Sequence, residues 1–216
     1  MDIINELKQN EGNAIIETFT MMTYILSIGR VLEKGGVDKF TKIILNEIKN
    51  LEKINSQDEF DNFHDSVVNL VVEEIKTKKR EPQSYGQAQK ALNVFLKVYV
   101  DWACRPNLKK SEQLRVLLHV PLDSILMREV KNKYPNEYEK HIVATYDSVR
   151  DSLRKTDFYK KFGESGLRIL IKPSDFSLNK IIYKKMYYAW QYCLRAIYPE
   201  KPVLLDVLWS LKRKNN

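Results

Sequence analysis

The sequence predicts an all-α protein, an irregular bundle of about eight or nine helices. Apolar residues recur at the three- and four-residue spacing of amphipathic helices through most of the chain. Only 7 Gly and 7 Pro occur among the 216 residues, which favours helices over a turn-rich β fold. The 44% apolar content is enough for a real core and excludes a disordered protein.

Three helices are predicted in the first third of the chain. The first covers residues 13–34 and ends at a Gly-Gly pair, since glycine commonly follows a helix C-terminus. The second covers about 38–51. Ser56 and Glu59 have the spacing of a capping box, which predicts that a third helix begins there and runs to about residue 75.

A central helix is predicted to begin at Ser84, because Ser84 and Gln87 form a second capping box, and to end before Arg105. Residues 88–103 are almost all apolar or aromatic, which is typical of a helix at the centre of a core.

A polar stripe interrupts this central helix. Lys90, Asn93, Lys97 and Asp101 are separated by three, four and four residues and therefore share one face. Charged groups in a core must be solvated or paired. The stripe is therefore either the helix's only window to water or the floor of a polar site.

Further helices are predicted after residue 105. Residues 111–120 are either a short helix or an extended segment. Asp123 is predicted to cap a helix over 124–134, and Pro135 to begin another that runs to about residue 155.

The last part of the chain is predicted to contain a long helix and a short one. The long helix is capped by Ser174 or Ser177 and ends at Ile197, and the short one ends in the basic residues 212–214. Residues 167–171 are the only strand-like stretch.

The charge changes sign along the chain. Residues 1–75 carry 7 basic and 14 acidic side chains, a net charge of −7, whereas residues 76–216 carry a net charge of +15. We therefore predict an acidic N-terminal helical subdomain over 1–80 and a basic subdomain over 81–216, with one continuous domain as the alternative. Such asymmetry indicates either a surface that binds polyanions or electrostatic packing within the molecule.

Several classes of protein lack support in the sequence. No stretch is long and apolar enough to span a membrane, and no secretory signal is evident, so we expect a cytoplasmic protein. Cys104 and Cys193 lie far apart in apolar runs and are predicted to be free buried thiols. No P-loop, dinucleotide-binding or zinc motif occurs, so we expect no cofactor and no metal.

His119, Pro121 and Asp123 form an elbow of chemically capable residues. Pro121 stiffens the segment, and a carboxylate can orient an imidazole as a general base. The alternative is that Asp123 is a helix N-cap and His119 a half-buried structural residue. His64 and His141 have no partner at useful spacing and are predicted to be surface or structural residues.

Arg115 and His119 are predicted to lie on one helical turn, and the pair resembles the ribonuclease motif of HEPN domains, which are also all-helical. In that motif four to six residues separate Arg from His, and a polar residue follows the Arg. Here three residues separate them and Val116 follows. The resemblance implies a metal-independent ribonuclease in which His119 acts as general acid and base.

Residues 86–93 and 119–123 together resemble segments of a group of prokaryotic all-helical proteins. These carry a G-x-A-Q-K-x-x-N helix followed by an H-x-P-x-D elbow, and the likeness covers about a fifth of this chain. The resemblance implies no activity. It does imply that six side chains converge on one polar site: Gln89, Lys90, Asn93, Lys97, His119 and Asp123.

The helix that ends at Ile197 combines basic and aromatic side chains. Lysine and arginine suit backbone phosphates, and tyrosine rings suit base stacking. The alternative is an ordinary solvated face, with Trp190 and Leu194 in the core. The residues predicted to bind nucleic acid on this helix and on the preceding one are Lys180, Lys184, Tyr187, Tyr188, Arg195, Arg150 and Arg154, with Gln191 on the same face as the lysines.

Three functions remain open at this point. We predict first a protein that binds nucleic acid or another polyanion through its basic part. The alternative is a ribonuclease or a phosphate-handling enzyme, with His119, Asp123 and Lys90 catalytic and with ligand-binding residues Gln89, Asn93 and Lys97. A second alternative is an interaction module whose acidic helices bind a basic partner, including a second copy of the chain.

Overall fold

The computed structural model describes residues 3–29, 32–81, 83–155, 159–160, 163 and 184–207. Within these residues the fold is all-α, as predicted. The single β-type pairing in the described part of the chain is an isolated bridge between Leu32 and Thr77.

Nine α-helices lie within the described residues. They are α1 Ile3–Ser27, α2 Gly36–Glu47, α3 Gln57–Glu74, α4 Tyr85–Leu96, α5 Leu108–Arg115, α6 Ser124–Lys133, α7 Pro135–Tyr138, α8 Ala144–Leu153 and α9 Lys184–Ile197. Two 3₁₀ segments cover Ile48–Lys53 and Pro202–Val207. Two π-helical segments, Lys97–Trp102 after α4 and Glu139–Val143 between α7 and α8, continue those helices without a break.

The chain divides into two compact units. The first comprises Met1–Gln83 and Ala88–Leu118, and the second comprises Ser84–Gln87 and His119–Asn216. This division differs from the predicted boundary at residue 80, because most of α4 packs with the N-terminal helices.

The core of the first unit contains a chain of aromatic rings from three helices. The Tyr24 ring of α1 lies 5.3 Å from the Phe40 ring of α2, and Phe40 meets the edge of Phe95 of α4 at 6.4 Å. Phe95 stacks on Tyr99 at 5.4 Å. Burying several large rings together stabilises this unit because each ring removes much apolar surface from water.

The core of the second unit is built from α6, the α7–α8 helix and α9. Its buried members include Met127, Ile142, Trp190 and Leu194. The Trp190 ring packs 5.7 Å from the Tyr138 ring, so the predicted core positions Trp190 and Leu194 are confirmed.

The N-terminal boundaries differ from the prediction. Helix α1 begins at Ile3 and ends at Ser27, so it is shifted towards the N-terminus relative to 13–34. The Gly-Gly pair begins α2: Gly35 is its N-cap with φ +83°, a left-handed conformation that favours glycine. A Cβ atom on Gly36 would collide with the Tyr24 hydroxyl, so this position also needs glycine.

The predicted helix caps at Ser56, Ser84 and Asp123 are confirmed. Ser56 accepts a hydrogen bond from the Glu59 amide while the Glu59 carboxylate accepts one from the Ser56 amide. Ser84 and Gln87 make the same reciprocal pair, at 3.2 and 3.0 Å. These bonds satisfy amides that a helix start leaves without intrahelical partners.

The ambiguous segment 111–120 contains the end of a helix and not an extended strand. Helix α5 begins after Asn107, whose side chain accepts a bond from the Lys110 amide at 3.0 Å, and it ends at Arg115. Arg115 and His119 therefore do not share a helical turn, and that part of the HEPN-like prediction is wrong.

Some predictions concern residues outside those that the structure describes. They are the caps at Ser174 and Ser177, the strand-like stretch 167–171 and the helix end at 212–214. Within the described residues, no helix is both long and apolar enough to cross a membrane. Cys193 is buried and Cys104 is half-buried, and both thiols are free.

Candidate functional site

The polar stripe of α4 lies inside the first unit. Asn93, Lys97 and Asp101 are only 1%, 7% and 8% exposed, and Lys90 is half-buried. The interpretation of this stripe as a window to water is therefore wrong for three of its four members. Because polar groups in a core need partners, the contacts of each one define what the stripe does.

Asn93 links two helices through a buried amide–imidazole network. Its Oδ1 atom lies 2.8 Å from His64 Nε2 of α3, and its Nδ2 donates to Gln89 Oε1 at 2.7 Å. His64 and Gln89 are both fully buried. Since Asn93 Oδ1 can only accept, His64 carries its proton on Nε2 in this arrangement. His64 is therefore a structural residue, which was one of the two predicted alternatives, and its partner lies 29 positions away in the sequence.

Asp101 and Arg115 form a largely buried ion pair at the other end of the stripe. Arg115 Nε lies 3.1 Å from Asp101 Oδ1, and the same guanidinium donates to the Asp101 carbonyl oxygen at 3.0 Å. It also contacts Cys104 Sγ at 3.1 Å. Lys97 Nζ lies 5.2 Å from the centre of the Trp102 ring, a cation–π geometry.

His119 lies in the core of the second unit. It is 1% exposed, and its Nδ1 shares a 2.7 Å hydrogen bond with the Tyr187 hydroxyl. Burial, with a smaller contribution from the Arg195 charge, holds the pKa of His119 well below its usual range, so the ring is neutral at physiological pH. The ring is sealed from solvent in this structure, which does not favour a role as general base.

The backbone next to His119 is held by α9. The Gln191 side chain accepts from the Val120 amide at 2.9 Å and donates to the Val120 carbonyl at 3.0 Å. Gln191 is 1% exposed, so it belongs to the core and not to the predicted basic face. These two bonds satisfy the amide and the carbonyl of Val120, which lies in a segment without regular secondary structure.

Asp123 is the N-cap of α6. Its Oδ1 accepts from the Ile125 and Leu126 amides at 3.0 and 2.9 Å. The capping interpretation is therefore confirmed. Of the six residues expected to converge, Gln89, Lys90, Asn93 and Lys97 belong to the first unit, and His119 and Asp123 belong to the second. The joint polar site remains a prediction.

An open groove of about 660 Å³ lies between α8 and α9 in the second unit. Lys184, Lys185, Tyr188 and Tyr192 of α9 form one wall, and α8 supplies the other with hydroxyl groups of Thr145 and Ser148. We call this the tyrosine groove.

Both tyrosine rings on the α9 wall reach solvent. Tyr192 is 50% exposed and Tyr188 is half-buried, and their ring centres lie 6.3 Å apart. Lys184 Nζ lies 5.8 Å from the centre of the Tyr188 ring, and both lysines are exposed. The groove therefore combines cations with accessible aromatic faces in one concave surface.

The predicted nucleic-acid residues divide into three groups. Lys184 and Tyr188 lie in the groove as expected. Tyr187 is fully buried, so a direct base contact does not fit it, and Lys180 lies outside the described residues. Arg195 is half-buried on α9.

Arg150 of α8 and Arg154, the C-cap of that helix, are exposed and share one carboxylate. They lie 3.9 and 3.3 Å from Asp151 Oδ1, which partly offsets their charge. Tyr192 and Lys185 were not predicted, although Tyr192 lies four residues after Tyr188 and therefore on the same face.

The net charge lies entirely in the second unit. The first unit contains 17 basic and 17 acidic residues, whereas the second contains 19 basic and 11 acidic residues, a net charge of +8. The groove therefore lies on a unit whose average field attracts anions.

Among the described residues, no group of three or more His, Cys, Asp or Glu side chains is arranged to hold a metal ion. Comparison of this chain with protein-family models, curated proteins and solved structures found no match. The function is therefore argued from the geometry of the tyrosine groove.

Proposed function

We propose that the protein binds single-stranded nucleic acid in the tyrosine groove. The observation that carries this proposal is the pairing of exposed Lys184 and Lys185 with the accessible rings of Tyr188 and Tyr192 along one groove. Lysines neutralise backbone phosphates, and aromatic rings stack on unpaired bases.

A single strand fits this groove better than a duplex. The bases of a duplex are already stacked on each other, so exposed tyrosine rings gain little from it. In a single strand every base offers a free face, and stacking on one tyrosine contributes about 1–3 kcal/mol. On the opposite wall the Thr145 hydroxyl provides a polar contact for a sugar or phosphate oxygen. The Ser148 hydroxyl donates to the Thr145 carbonyl at 2.7 Å and can accept from a sugar hydroxyl.

The ionic contribution is tested by charge reversal. We expect a labelled single-stranded oligonucleotide to bind in fluorescence anisotropy at about 50 mM salt and to weaken steeply by about 200 mM. The Lys184→Glu/Lys185→Glu variant should lose at least about tenfold in affinity. The control Lys131→Glu/Lys140→Glu makes the same charge change on exposed residues of the same unit and should lose far less. Equal losses in both variants would mean a diffuse charge effect and no groove.

The stacking contribution is tested at Tyr192. Tyr192→Ala should weaken binding about tenfold or more, whereas Tyr192→Phe should retain it because the ring remains. Heparin carries charge without bases, so Tyr192→Ala should leave heparin binding unchanged. Absence of any complex at low salt would refute the proposed function.

A further inference from the structure

The outward face of α1 is apolar. Met21, Met22, Ile25 and Leu26 are 49%, 52%, 55% and 77% exposed and lie side by side, because they are one, three and four residues apart. We call these four side chains the α1 patch. Residues of this type on successive turns form a continuous surface, and large exposed apolar patches mark interaction sites.

The opposite face of the same helix is already buried against its own unit. Thr20, Thr23, Tyr24 and Ile28 are at most 3% exposed there. The inward side of this part of α1 is therefore packed, and its outward side carries large apolar side chains in contact with water. Apolar side chains on successive turns are normally covered, so we expect the α1 patch to bind a partner.

The charge pattern of α1 restricts what that partner is. Residues 18–29 contain no charged side chain. Glu6 and Glu11 lie in the N-terminal half with Lys8, the one basic residue described in this helix, and Glu17 lies one turn before Met21. Beside Ile25 of the patch, Glu33 lines the same pocket as Lys34 and Lys78, so the nearby charges favour neither a basic nor an acidic partner. An anionic membrane surface would be repelled by the acidic half.

We propose that the α1 patch is the interface of a homodimer in which the two α1 helices cross antiparallel about a two-fold axis. This arrangement brings the uncharged halves together and sends the two acidic halves to opposite ends. A parallel pair would instead set Glu11 beside its own copy. A two-fold contact needs a self-complementary surface, and methionine side chains adapt their shape to such a contact.

The size of the patch sets the expected affinity. Four side chains from each copy cover less than the roughly 800 Å² per partner of a standard interface. The dimer is therefore expected to dissociate in the micromolar range, about 1–100 μM. Because the contact is apolar, its affinity should not fall between about 50 and 500 mM salt.

Sedimentation velocity from about 2 to 500 μM tests the proposal. The full chain should rise from its monomer mass of 25.5 kDa to twice that value. The Ile25→Glu/Leu26→Glu variant should stay monomeric at every concentration. The control Leu108→Glu/Val116→Glu changes two exposed apolar residues of the same unit, the first residue of α5 and its C-cap, and should dimerise as the unaltered chain does.

The outcomes separate this proposal from its competitors. A chain that stays monomeric at the highest concentration overturns it, and so does an oligomer that salt dissociates, since that would be an ionic contact. Loss of dimer in the α5 control would also overturn the assignment to α1. Leu26→Gln alone, a milder change on a surface side chain, should weaken the dimer about fivefold or more while the far-ultraviolet circular dichroism is unchanged.

Discussion

The polar stripe of α4 and the tyrosine groove face of α9 have the same helical spacing but opposite surroundings. On α4, Asn93 and Asp101 are turned into the first unit and are held by a histidine and an arginine. On α9, Lys184 and Tyr192 remain open to solvent. Periodicity tells which residues share a face, and it does not tell whether that face is covered.

The two stripes also differ in what their charges accomplish. In the first unit the Asp101 carboxylate pairs with Arg115 inside the core, and the unit's 17 basic and 17 acidic residues balance, so its polar groups contribute to helix packing. The second unit keeps its excess of +8, so its average field attracts anions. The comparison predicts large stability effects on α4 and its partners, and small ones on exposed ion pairs.

The strongest test is to remove one member of the buried ion pair. Arg115→Met removes the guanidinium that lies 3.1 Å from the Asp101 carboxylate, whose side chain is 4% exposed. We expect the free energy of unfolding to fall by about 3 kcal/mol or more, measured by urea denaturation. Arg150→Met, whose pair with the 82% exposed Asp151 is 3.9 Å long, should cause no measurable loss. Similar losses in both variants would contradict the buried stripe.

A smaller effect is expected at the amide of Asn93. Asn93→Ala removes the acceptor of the His64 Nε2 proton inside the core, and we expect a loss of about 2 kcal/mol in the free energy of unfolding. Asn69→Ala is the matched control, because Asn69 is an exposed asparagine of α3. It should change stability by less than about 0.5 kcal/mol. If Asn93→Ala left the free energy of unfolding unchanged, the network would contribute nothing to stability.

The parts of the fold that the sequence predicts well depend on neighbouring residues. Ser56, Ser84 and Asp123 cap helices through bonds to residues at most three positions away, so their chemistry is visible in a short window. The fold class follows for the same reason, since it needs only the helical spacing of apolar residues.

The site residues depend on partners that are distant in sequence. Asn93 is paired with His64 across 29 positions, and His119 with Tyr187 across 68. Nothing in a single sequence marks such pairs, so a stripe that should face water is buried and a tyrosine that should stack on bases is in the core. Tyr192 is different, because its four-residue spacing from Tyr188 shows from the sequence alone that the two rings share one face of α9.

The smallest expected effect is a pH dependence of stability that arises at His119. The pKa of His119 is lowered well below 6.5 in the folded protein. At a pH between this lowered pKa and the unfolded pKa of about 6.5, the unfolded chain binds a proton that the folded chain does not. The free energy of unfolding is therefore unaffected by this group above about pH 6.5. Below that pH it decreases as the pH falls, by at most about 1.4 kcal/mol per pH unit. His119→Gln should therefore flatten the decline in stability between pH 7 and pH 5, measured by urea denaturation.

His141→Gln is the control, at a half-buried residue whose pKa is also lowered. It should flatten the decline less, because His119 is sealed and His141 is partly solvated. If His119→Gln declines with acid as steeply as the unaltered protein, the imidazole is not held neutral in the core, and the pairing with Tyr187 does not describe its state in solution.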